Sequence, residues 1–453
     1  MLLDLTQFTL KAGLLSQRPF EILREADKKY VSALMDILLL EGADREVRDA
    51  WQLVQLGNLF KHAHARSVFW RSRLALLATD PRQIGRLPAF TRKELIAQVT
   101  KEGALIRPRD GLKPQEHSTS GSSGIPVRFF ISDANGNYNV ARYQLESLLE
   151  RRAHLSRARF RAEFTLPPPG FAIEPGMNEE TAKRSLFGEP RVFRIKYGHF
   201  EPAAFLQALE ELDIHVWISN PGLMEAMLSG VDASDLQRAG LRHWVVMSSR
   251  IPDHVRDEVK AAGIEISSSY SSEEIGPIGF ECKTYPGRYH VVSSNVIVHP
   301  SSEEFVQDGI SCNRILVTHL HSYATPFIRY DLGDFGRVSD GCPCGFDGQV
   351  ITHLFGRVSS ALVHADGRRT AFVIQSRKIK EIGGVREFRA RQVAFTKVIV
   401  DVVPESDGGE IREQLYNYLC AVAGPGIDVE LKFCDSIDWG QSAKRPSFRS
   451  EIA

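Results

Sequence analysis

The segment from Phe205 to Ile266 alternates between helix-like and strand-like stretches, and this alternation limits the folds open to the chain. Apolar spacing predicts helices at Phe205–Leu212 and Pro252–Ala261, and β-rich runs predict strands at Ile214–Ile218, His243–Met247 and Ile264–Ile266. Such alternation predicts a parallel sheet with helices on its faces, and ligands bind outside the carboxyl ends of its strands. We therefore expect an α/β fold, with the serine-rich stretch Ser267–Glu274 as a loop at the ligand-binding edge.

The flanking segments predict two further parts around this sheet. Residues 1–80 read as a helical extension, and a capping box at Thr91 and Glu94 predicts the start of a short helix. From Tyr289 the pattern changes to β-hairpins, and a composition shift at Gly356 and Arg357 marks a linker. We predict a large N-terminal domain, 1–355, with parallel-rich sheets and helices plus a β-hairpin or barrel-like subdomain. Residues 356–453 are predicted to form a small, mobile α+β lid domain.

The amphipathic stretch from Tyr138 to Leu155 predicts a long helix whose end is rich in arginine. The arginines are Arg151, Arg152, Arg157, Arg159 and Arg161. They could contact a polyphosphate, or they could form a solvated face of the helix.

The charge balance argues against nucleic acid as a partner. The 453 residues include 56 basic and 56 acidic side chains, so the formal net charge is zero and no net field attracts the chain to a polyanion. The N-terminus has no positive region ahead of its short apolar stretch, and charged residues interrupt the later apolar runs before bilayer length. We expect a cytoplasmic protein without a membrane partner, and we leave homodimer formation open.

The run from His117 to Val127 is a glycine and hydroxyl loop. Small residues leave backbone N–H groups uncovered, and Ser and Thr add hydroxyl donors, so such a loop can surround a phosphate. It is not the P-loop pattern, because Ile125 stands where a lysine would help. In isolation the loop could equally be a flexible surface turn.

Four more motifs follow the loop in a fixed order. They are Tyr270-Ser-Ser-Glu-Glu-Ile-Gly-Pro277, Pro326-Phe-Ile-Arg-Tyr-Asp-Leu-Gly-Asp334, Gly356-Arg357, and Lys444 within Gln441-Ser-Ala-Lys-Arg-Pro-Ser-Phe448. In this order the chain resembles the adenylate-forming (ANL) superfamily of acyl-CoA synthetases and carrier-protein adenylation domains. Within it the chain is most similar to the phenylacetate-CoA ligase branch. The resemblance runs from about residue 60 to the last residues, and it implies ATP- and Mg²⁺-dependent activation of a carboxylic acid as acyl-AMP.

The resemblance also implies roles for individual residues. The loop residues that would hold the β- and γ-phosphates of ATP are Thr119, Ser120, Gly121, Ser122, Ser123 and Gly124. Glu274 would lie near Mg²⁺, and Tyr270 would stack on or flank the adenine. Asp334 suits the ribose hydroxyls, and Arg357 would reach the same sugar. Lys444, on the lid, would contact the carboxylate and the α-phosphate during adenylation and leave when the lid rotates.

Alternatives stay open at three of these positions. Glu273 rather than Glu274 could face the metal, Asp334 could simply cap its turn, and Lys444 could be an exposed lysine of the tail. The chain also departs from the family pattern at Ile125 and at Glu273, where Ser or Thr is usual, and at Ser359, where an acidic hinge residue is usual. The first step, adenylation of the acid, is therefore better supported than the second step, transfer of the acyl group to CoA. An amine or a carrier protein is the alternative acceptor, and a non-catalytic nucleotide-binding homologue is the alternative to an enzyme.

The cysteines are spaced for a metal ion. Cys282 and His290 form one short-range pair, and Cys342 and Cys344 form a tight Cys-Pro-Cys-Gly pair about fifty residues later. Two such pairs supply the four ligands of a closed tetrahedral zinc site, which would be structural. The alternative is a set of free buried thiols. Cys312 and His353 are reserve ligands, and Cys420 and Cys434 read as core residues.

The identity of the acid rests on weak signals. Phe164, Phe171, Trp217 and Trp244 lie in the region expected to line the pocket and make an aromatic acid plausible. The same side chains could instead belong to the hydrophobic core.

Overall fold

The computed structural model describes most of the chain. The described residues are 25–75, 77, 80–99, 114–118, 127–163, 166–175, 191–247, 251–307, 310–357, 361–366, 369–372, 374, 378–379, 382–404, 411–438 and 448–452. No helix within these ranges is long and apolar enough to cross a membrane.

Helices and strands are numbered in chain order. The helices α1 to α10 are Glu25–Glu41, Arg45–Arg66, Val68–Ala75, Arg92–Val99, Asp133–Leu149, Pro202–Glu211, Pro221–Leu228, Ala233–Arg238, Asp253–Ala261 and Ile411–Ala423. The strands β1 to β10 are Gln115–Ser118, Arg128–Ile131, Arg157–Ala162, Phe171–Pro175, Val192–Tyr197, Val216–Ser219, His243–Val246, Glu265–Ser272, Gly276–Glu281 and Tyr289–Val291. The strands β11 to β20 are Val296–Gln307, Ile310–His319, Tyr330–Asp340, Gln349–Arg357, Ala361–Val363, Arg369–Ala371, Val385–Ala394, Lys397–Pro404, Asp428–Phe433 and Phe448–Ser450.

A sheet of twelve strands joins the α/β part to the hairpin part in the order β11-β12-β13-β14-β10-β9-β8-β7-β6-β3-β5-β4. Strands β5, β3, β6, β7 and β8 are parallel neighbours. Strands β8 to β14 pair antiparallel, as does the edge pair β4 and β5. The expected α/β fold with a parallel sheet and a hairpin region is confirmed.

Strand β8 connects the two parts because it pairs in parallel with β7 and antiparallel with β9. This corrects the expectation of a serine-rich loop from Ser267 to Glu274. The strand continues through Ser272, and only the turn that follows it is irregular. Strand β8 has a neighbouring strand on each edge, so its backbone N–H and C=O groups form hydrogen bonds on both sides. The strand therefore forms although many of its side chains are serines.

The four helices α6 to α9 cover one face of the parallel strands and form a hydrophobic core with them. Trp217 and Trp244 lie in this core at 2% and 0% exposure, and Phe171 packs against it. Phe164 lies outside the described residues. Trp217, Trp244 and Phe171 therefore belong to the hydrophobic core, and they do not support an aromatic acid as the substrate.

The predicted helix over Tyr138–Leu155 is shorter than expected. Helix α5 ends at Leu149, and Arg151 adopts a left-handed backbone conformation with φ 54°, which ends a right-handed helix. Arg152 is buried and bonds to the Glu150 carboxylate at 2.6 Å. The other three arginines of this stretch lie on β3, where Arg157 is partly buried and Arg159 and Arg161 are exposed. The expected arginine-rich helix end is thus wrong.

The C-terminal part has a hydrophobic core of its own. Its buried side chains lie between Leu362 and Phe448. The sheet has the order β19-β18-β17-β20, and α10 contributes Leu415 and Leu419 to the core. The described residues after the linker form strands and one long helix, as the predicted α+β composition requires, and the division at residue 356 stays a prediction.

Two buried neutral histidines should make stability depend on acid pH. Burial lowers the pKa of His299 to about 3, helped by the charge of Arg329, and burial lowers the pKa of His319 to about 3, helped by His321. In the unfolded chain both titrate near pH 6.5, so the unfolded state binds more protons between about 6.5 and 3. The free energy of unfolding should therefore fall as the pH drops through this window.

Urea denaturation between pH 7 and 4 measures this dependence. His299→Asn should flatten the fall in unfolding free energy, whereas His154→Gln, at an exposed position, should leave it unchanged. Identical pH profiles for wild type and His299→Asn would contradict the assignment.

Candidate active site

The turn between β8 and β9 places two glutamates in different surroundings. Its geometry is fixed by the Ser272 hydroxyl, which accepts from Ile275 N at 3.1 Å, and by Gly276 in the left-handed region at φ 77°. Glu273 is exposed, whereas Glu274 is only 9% exposed. A buried carboxylate needs partners, so Glu274 is the residue whose surroundings are built by the fold.

Glu274 has a tyrosine and an arginine beside it. The Tyr330 hydroxyl donates to Glu274 Oε1 at 3.4 Å, and Arg92 Nη1 lies 3.8 Å from the same oxygen. Arg92 is in the first turn of α4, which the predicted capping box begins: Thr91 N donates to the Glu94 carboxylate at 2.8 Å, and Glu94 N to Thr91 Oγ1 at 3.2 Å. The sequence reading missed Arg92 and Tyr330, although the capping box already placed Arg92 at a helix start.

A second corner of the site joins two predicted residues directly. The Tyr270 hydroxyl donates to Asp334 Oδ2 at 2.8 Å. The backbones of Asp334 and Arg357 are opposite each other in the antiparallel pair β13–β14. The turn before Asp334 is bonded by Asp331, whose Oδ1 accepts from Gly333 N at 2.8 Å. The N–H of Gly333 is therefore capped by Asp331 and not by Asp334, whose carboxylate accepts from Tyr270 instead.

The phosphate-loop residues Thr119, Ser120, Gly121, Ser122, Ser123 and Gly124 lie outside the described residues, as does Lys444. The strands that flank the loop are described. They form the antiparallel hairpin β1–β2, in which the ring of His117 stacks on that of Phe129 with centroids 5.8 Å apart. Phe130 N donates to Thr325 Oγ1 at 2.9 Å, which ties the hairpin to the segment that leads into β13.

Cys282, His290, Cys342 and Cys344 come together, with their ligand atoms all within 4.8 Å of one another. The two sulfurs of Cys342 and Cys282 are 3.9 Å apart, and Cys344 Sγ lies 3.4 Å from His290 Nε2. Tetrahedral coordination at bond lengths of about 2.3 Å for sulfur and about 2.0 Å for nitrogen requires separations of about 3.5–3.8 Å. The set therefore fits a zinc ion. Cys312 is on β12, and among the described residues it is not part of this cluster.

Turns and packing hold the cluster in shape. Gly341 and Gly345, with φ 75° and 98°, turn the chain around the two cysteines, and Cys342 N donates to Phe346 O at 2.7 Å. The ring of Phe346 stacks on His290 at 4.3 Å between centroids. Burial lowers the pKa of His290 and raises that of Cys342 to about 11, so a cation would stabilise the thiolate that this apolar site disfavours.

No family model matches the chain, and no curated protein matches it. By structure the chain is similar to 2-hydroxyisobutyryl-CoA ligase in the postadenylation state in complex with 2-HIB-AMP, at 15% identity, with 90% of each chain covered and a TM-score of 0.63. The chain has the fold of the adenylate-forming enzymes. The same ligase with 2-HIB-AMP and CoA in the thioesterification state shares this fold at 16% identity, covering 91% of this chain and 92% of that one, with a TM-score of 0.55.

The bond between Tyr270 and Asp334 should be measurable without any ligand. A hydrogen bond to a charged acceptor contributes on the order of 1.5 kcal/mol, so a double-mutant cycle of Tyr270→Phe and Asp334→Asn should give a coupling of that order in the free energy of unfolding. Chemical denaturation of the four proteins gives this value. Additive effects of the two substitutions would contradict the contact.

Proposed function

We propose that the protein is an AMP-forming acid ligase that activates a carboxylic acid with ATP as acyl-AMP and transfers the acyl group to CoA. The observation that carries this proposal is the corner formed by Tyr270, Asp334 and the backbone of Arg357. The turn that follows the strand of Tyr270 carries the buried carboxylate of Glu274. The corner supports the resemblance because residues from motifs more than sixty positions apart meet in one place. The adenylate-forming fold is consistent with it.

In this proposal the described residues bind and orient the nucleotide. The Asp334 carboxylate accepts hydrogen bonds from the ribose hydroxyls, and Tyr270 flanks the adenine while its hydroxyl fixes the rotamer of Asp334. A carboxylate oxygen of the acid attacks the α-phosphorus and pyrophosphate leaves, and the acceptor then attacks the carbonyl carbon and AMP leaves. Both steps bring anions together, so positioning and charge neutralisation dominate the rate.

Glu274 suits the role of the Mg²⁺ ligand. It is a buried carboxylate with the Arg92 guanidinium 3.8 Å away, and hard carboxylate oxygens are what Mg²⁺ prefers. When bound, Mg²⁺ neutralises the phosphate oxygens as charge develops on them. Arg92 and Tyr330 hold the carboxylate in place, and the donors of Thr119–Gly124 and the Lys444 ammonium complete the proposed phosphate and carboxylate contacts.

The acceptor and the branch belong to the proposal as well. The similar ligase binds CoA in its thioesterification state, which favours CoA here. An amine or a carrier protein is the second candidate acceptor, favoured by Ser359 at the expected hinge position. The placement in the phenylacetate-CoA ligase branch stays a prediction. Incubation of the acyl-AMP with CoA, an amine or a carrier protein separates these acceptors by which one consumes it.

The Cys/His cluster is proposed as a structural zinc site. Cys282 directly follows β9, the strand after Glu274, whereas Cys342 and Cys344 lie in the turn between β13, which carries Asp334, and β14. A bound zinc would tie these two elements together, and closed four-ligand sites serve structure rather than catalysis.

Adenylation can be tested without choosing the acceptor. ATP-dependent pyrophosphate release is measured with hydroxylamine as a generic trap, over aryl, arylacetic, fatty, amino and dicarboxylic acids. Asp334→Asn should lower kcat/KM about a hundredfold, because two hydrogen bonds to the ribose lose their charged acceptor. Lys444→Ala should lower adenylate formation but leave ATP binding intact.

The control is Asp340→Asn, which removes an exposed carboxylate from the far end of the same strand and should leave the rate unchanged. No pyrophosphate with any acid, while ATP still binds, would contradict the enzyme and favour the non-catalytic nucleotide-binding homologue.

Zinc should be present in the purified protein at one ion per chain, as measured by inductively coupled plasma mass spectrometry. Cys342→Ser should lose the ion and lower the melting temperature, because the folded state loses the stabilisation by the metal. Cys434→Ser is the control outside the cluster and should keep the ion. If the purified wild-type protein contains no metal and melts at the same temperature with and without chelator, the zinc site is contradicted and the cysteines are free thiols.

A further inference from the structure

The two faces of the parallel sheet carry different side chains. The register places Trp217 beside Trp244 on the face covered by α6 to α9, and both are almost fully buried. On the opposite face the register aligns Arg159 on β3 with Ile218 on β6, and Ile218 with Val245 on β7. Ile218 and Val245 are partly exposed and Arg159 is exposed, although β6 and β7 are central strands. Within the described part of the chain, this face therefore has an open apolar floor, formed by the partly exposed Ile218 and Val245, beside the cation of Arg159.

Helix α5 stands over one side of this floor. A Cβ added at Gly276 would come within 2.6 Å of the Asn139 amide, so α5 sits against the turn that follows Glu274. One turn further along α5, Tyr143 contacts Phe280 edge to face, with centroids 6.0 Å apart, and is 37% exposed. The wall of the open space nearest to Glu274 is thus formed by Tyr143.

Burial, one hydrogen bond and three charged side chains act on the Tyr143 hydroxyl. Burial raises its pKa and the Glu273 carboxylate raises it further, whereas a hydrogen bond to Ser271 and the positive charges of Arg159 and Arg142 act to lower it. Arg142 already has a partner, since its Nη1 lies 2.9 Å from the Glu146 carboxylate. Arg159, in contrast, has no carboxylate at ion-pair distance within the described part of the chain.

The basic side chains of the neighbouring strand β5, unlike Arg159, have carboxylate partners. Arg194 is the cross-strand partner of Arg159, and it lies 3.8 Å from the Glu174 carboxylate. Lys196 is similarly placed, 2.9 Å from Glu174. Arg161, the next residue on the same face of β3 as Arg159, has no such partner among the described residues. Among the described residues, the positive charges of Arg159 and Arg161 on β3 thus have no ion-pair partner.

From this arrangement, and resting on the proposed function, we infer that the acid substrate is a short dicarboxylic acid whose second carboxylate is bound by Arg159. The reacting carboxylate lies at the Glu274 end. The carbon chain lies on Ile218 and Val245. Strands β3 and β8 are three strand spacings apart, about 14 Å, and an arginine side chain covers close to half of that distance. The remaining span suits an acid of four to six carbons.

The test compares each dicarboxylic acid with its own monomethyl ester in the pyrophosphate-release assay. Succinate, glutarate and adipate are the acids. We expect at least one of them to exceed its ester about a hundredfold in kcat/KM. Arg159→Gln should remove this preference by raising KM for the dicarboxylate far more than KM for the ester, and Arg159→Lys should restore part of it. Arg194→Gln, the matched control on the next strand, should behave as wild type.

Each other outcome has a defined meaning. Equal losses with diacid and ester in Arg159→Gln would indicate a structural role and overturn the inference. A wild-type preference for aromatic, fatty or hydroxy monocarboxylic acids would also overturn it while leaving the proposed function in place. Silence with every acid would contradict the proposed function itself, and this inference with it.

Discussion

The structure depends on the double pairing of β8. This strand is the last of the parallel strands and the first of the antiparallel ones, so a single row of backbone hydrogen bonds makes one sheet out of two kinds of β structure. Its carboxyl end is where a parallel sheet presents ligand-binding groups, and here the chain turns through Glu274 into β9. Tyr270, near the end of β8, reaches Asp334 on β13. The candidate site therefore exists because β8 holds the two halves in register.

Helix α5 contributes a second constraint, which is electrostatic. Glu146 has only 12% of its side chain exposed and is paired with Arg142, whose guanidinium lies 4.3 Å from the centre of the Phe280 ring, and Glu150 is paired with Arg152. Burial raises the pKa of Glu146, so its charge depends on the Arg142 beside it. Losing one member of such a pair leaves an uncompensated buried charge, which is strongly destabilising. Arg142 also contacts Phe280 on β9, and the Ser267 hydroxyl on β8 donates to the Glu150 carboxylate, so the helix is held against both strands.

Local patterns predicted local features well. The Thr91 and Glu94 spacing predicted the capping box, and the two short cysteine and histidine pairs predicted a cluster because each pair sits on a turn. Polar strands were harder to predict. Arg157, Arg159 and Arg161 alternate with Ala158 and Phe160, which is strand spacing, but the preceding amphipathic run favoured a helix. The serines of β8 favoured the prediction of a loop because they lack the apolar alternation that is typical of a strand. No local pattern could have placed Arg92 beside Glu274, since that contact joins segments far apart in the chain.

The central claim is that a carboxylic acid attacks the α-phosphate of ATP at the candidate site that contains Tyr270, Asp334 and Glu274. The most direct measurement uses an acid labelled with oxygen-18 in its carboxylate, followed by mass spectrometry of the products after one turnover with hydroxylamine. The attacking oxygen stays on phosphorus when the acyl group leaves, so the account predicts AMP carrying one heavy oxygen atom and unlabelled pyrophosphate. Unlabelled AMP, or ADP with labelled phosphate, would show that the acid is activated by another route or not at all.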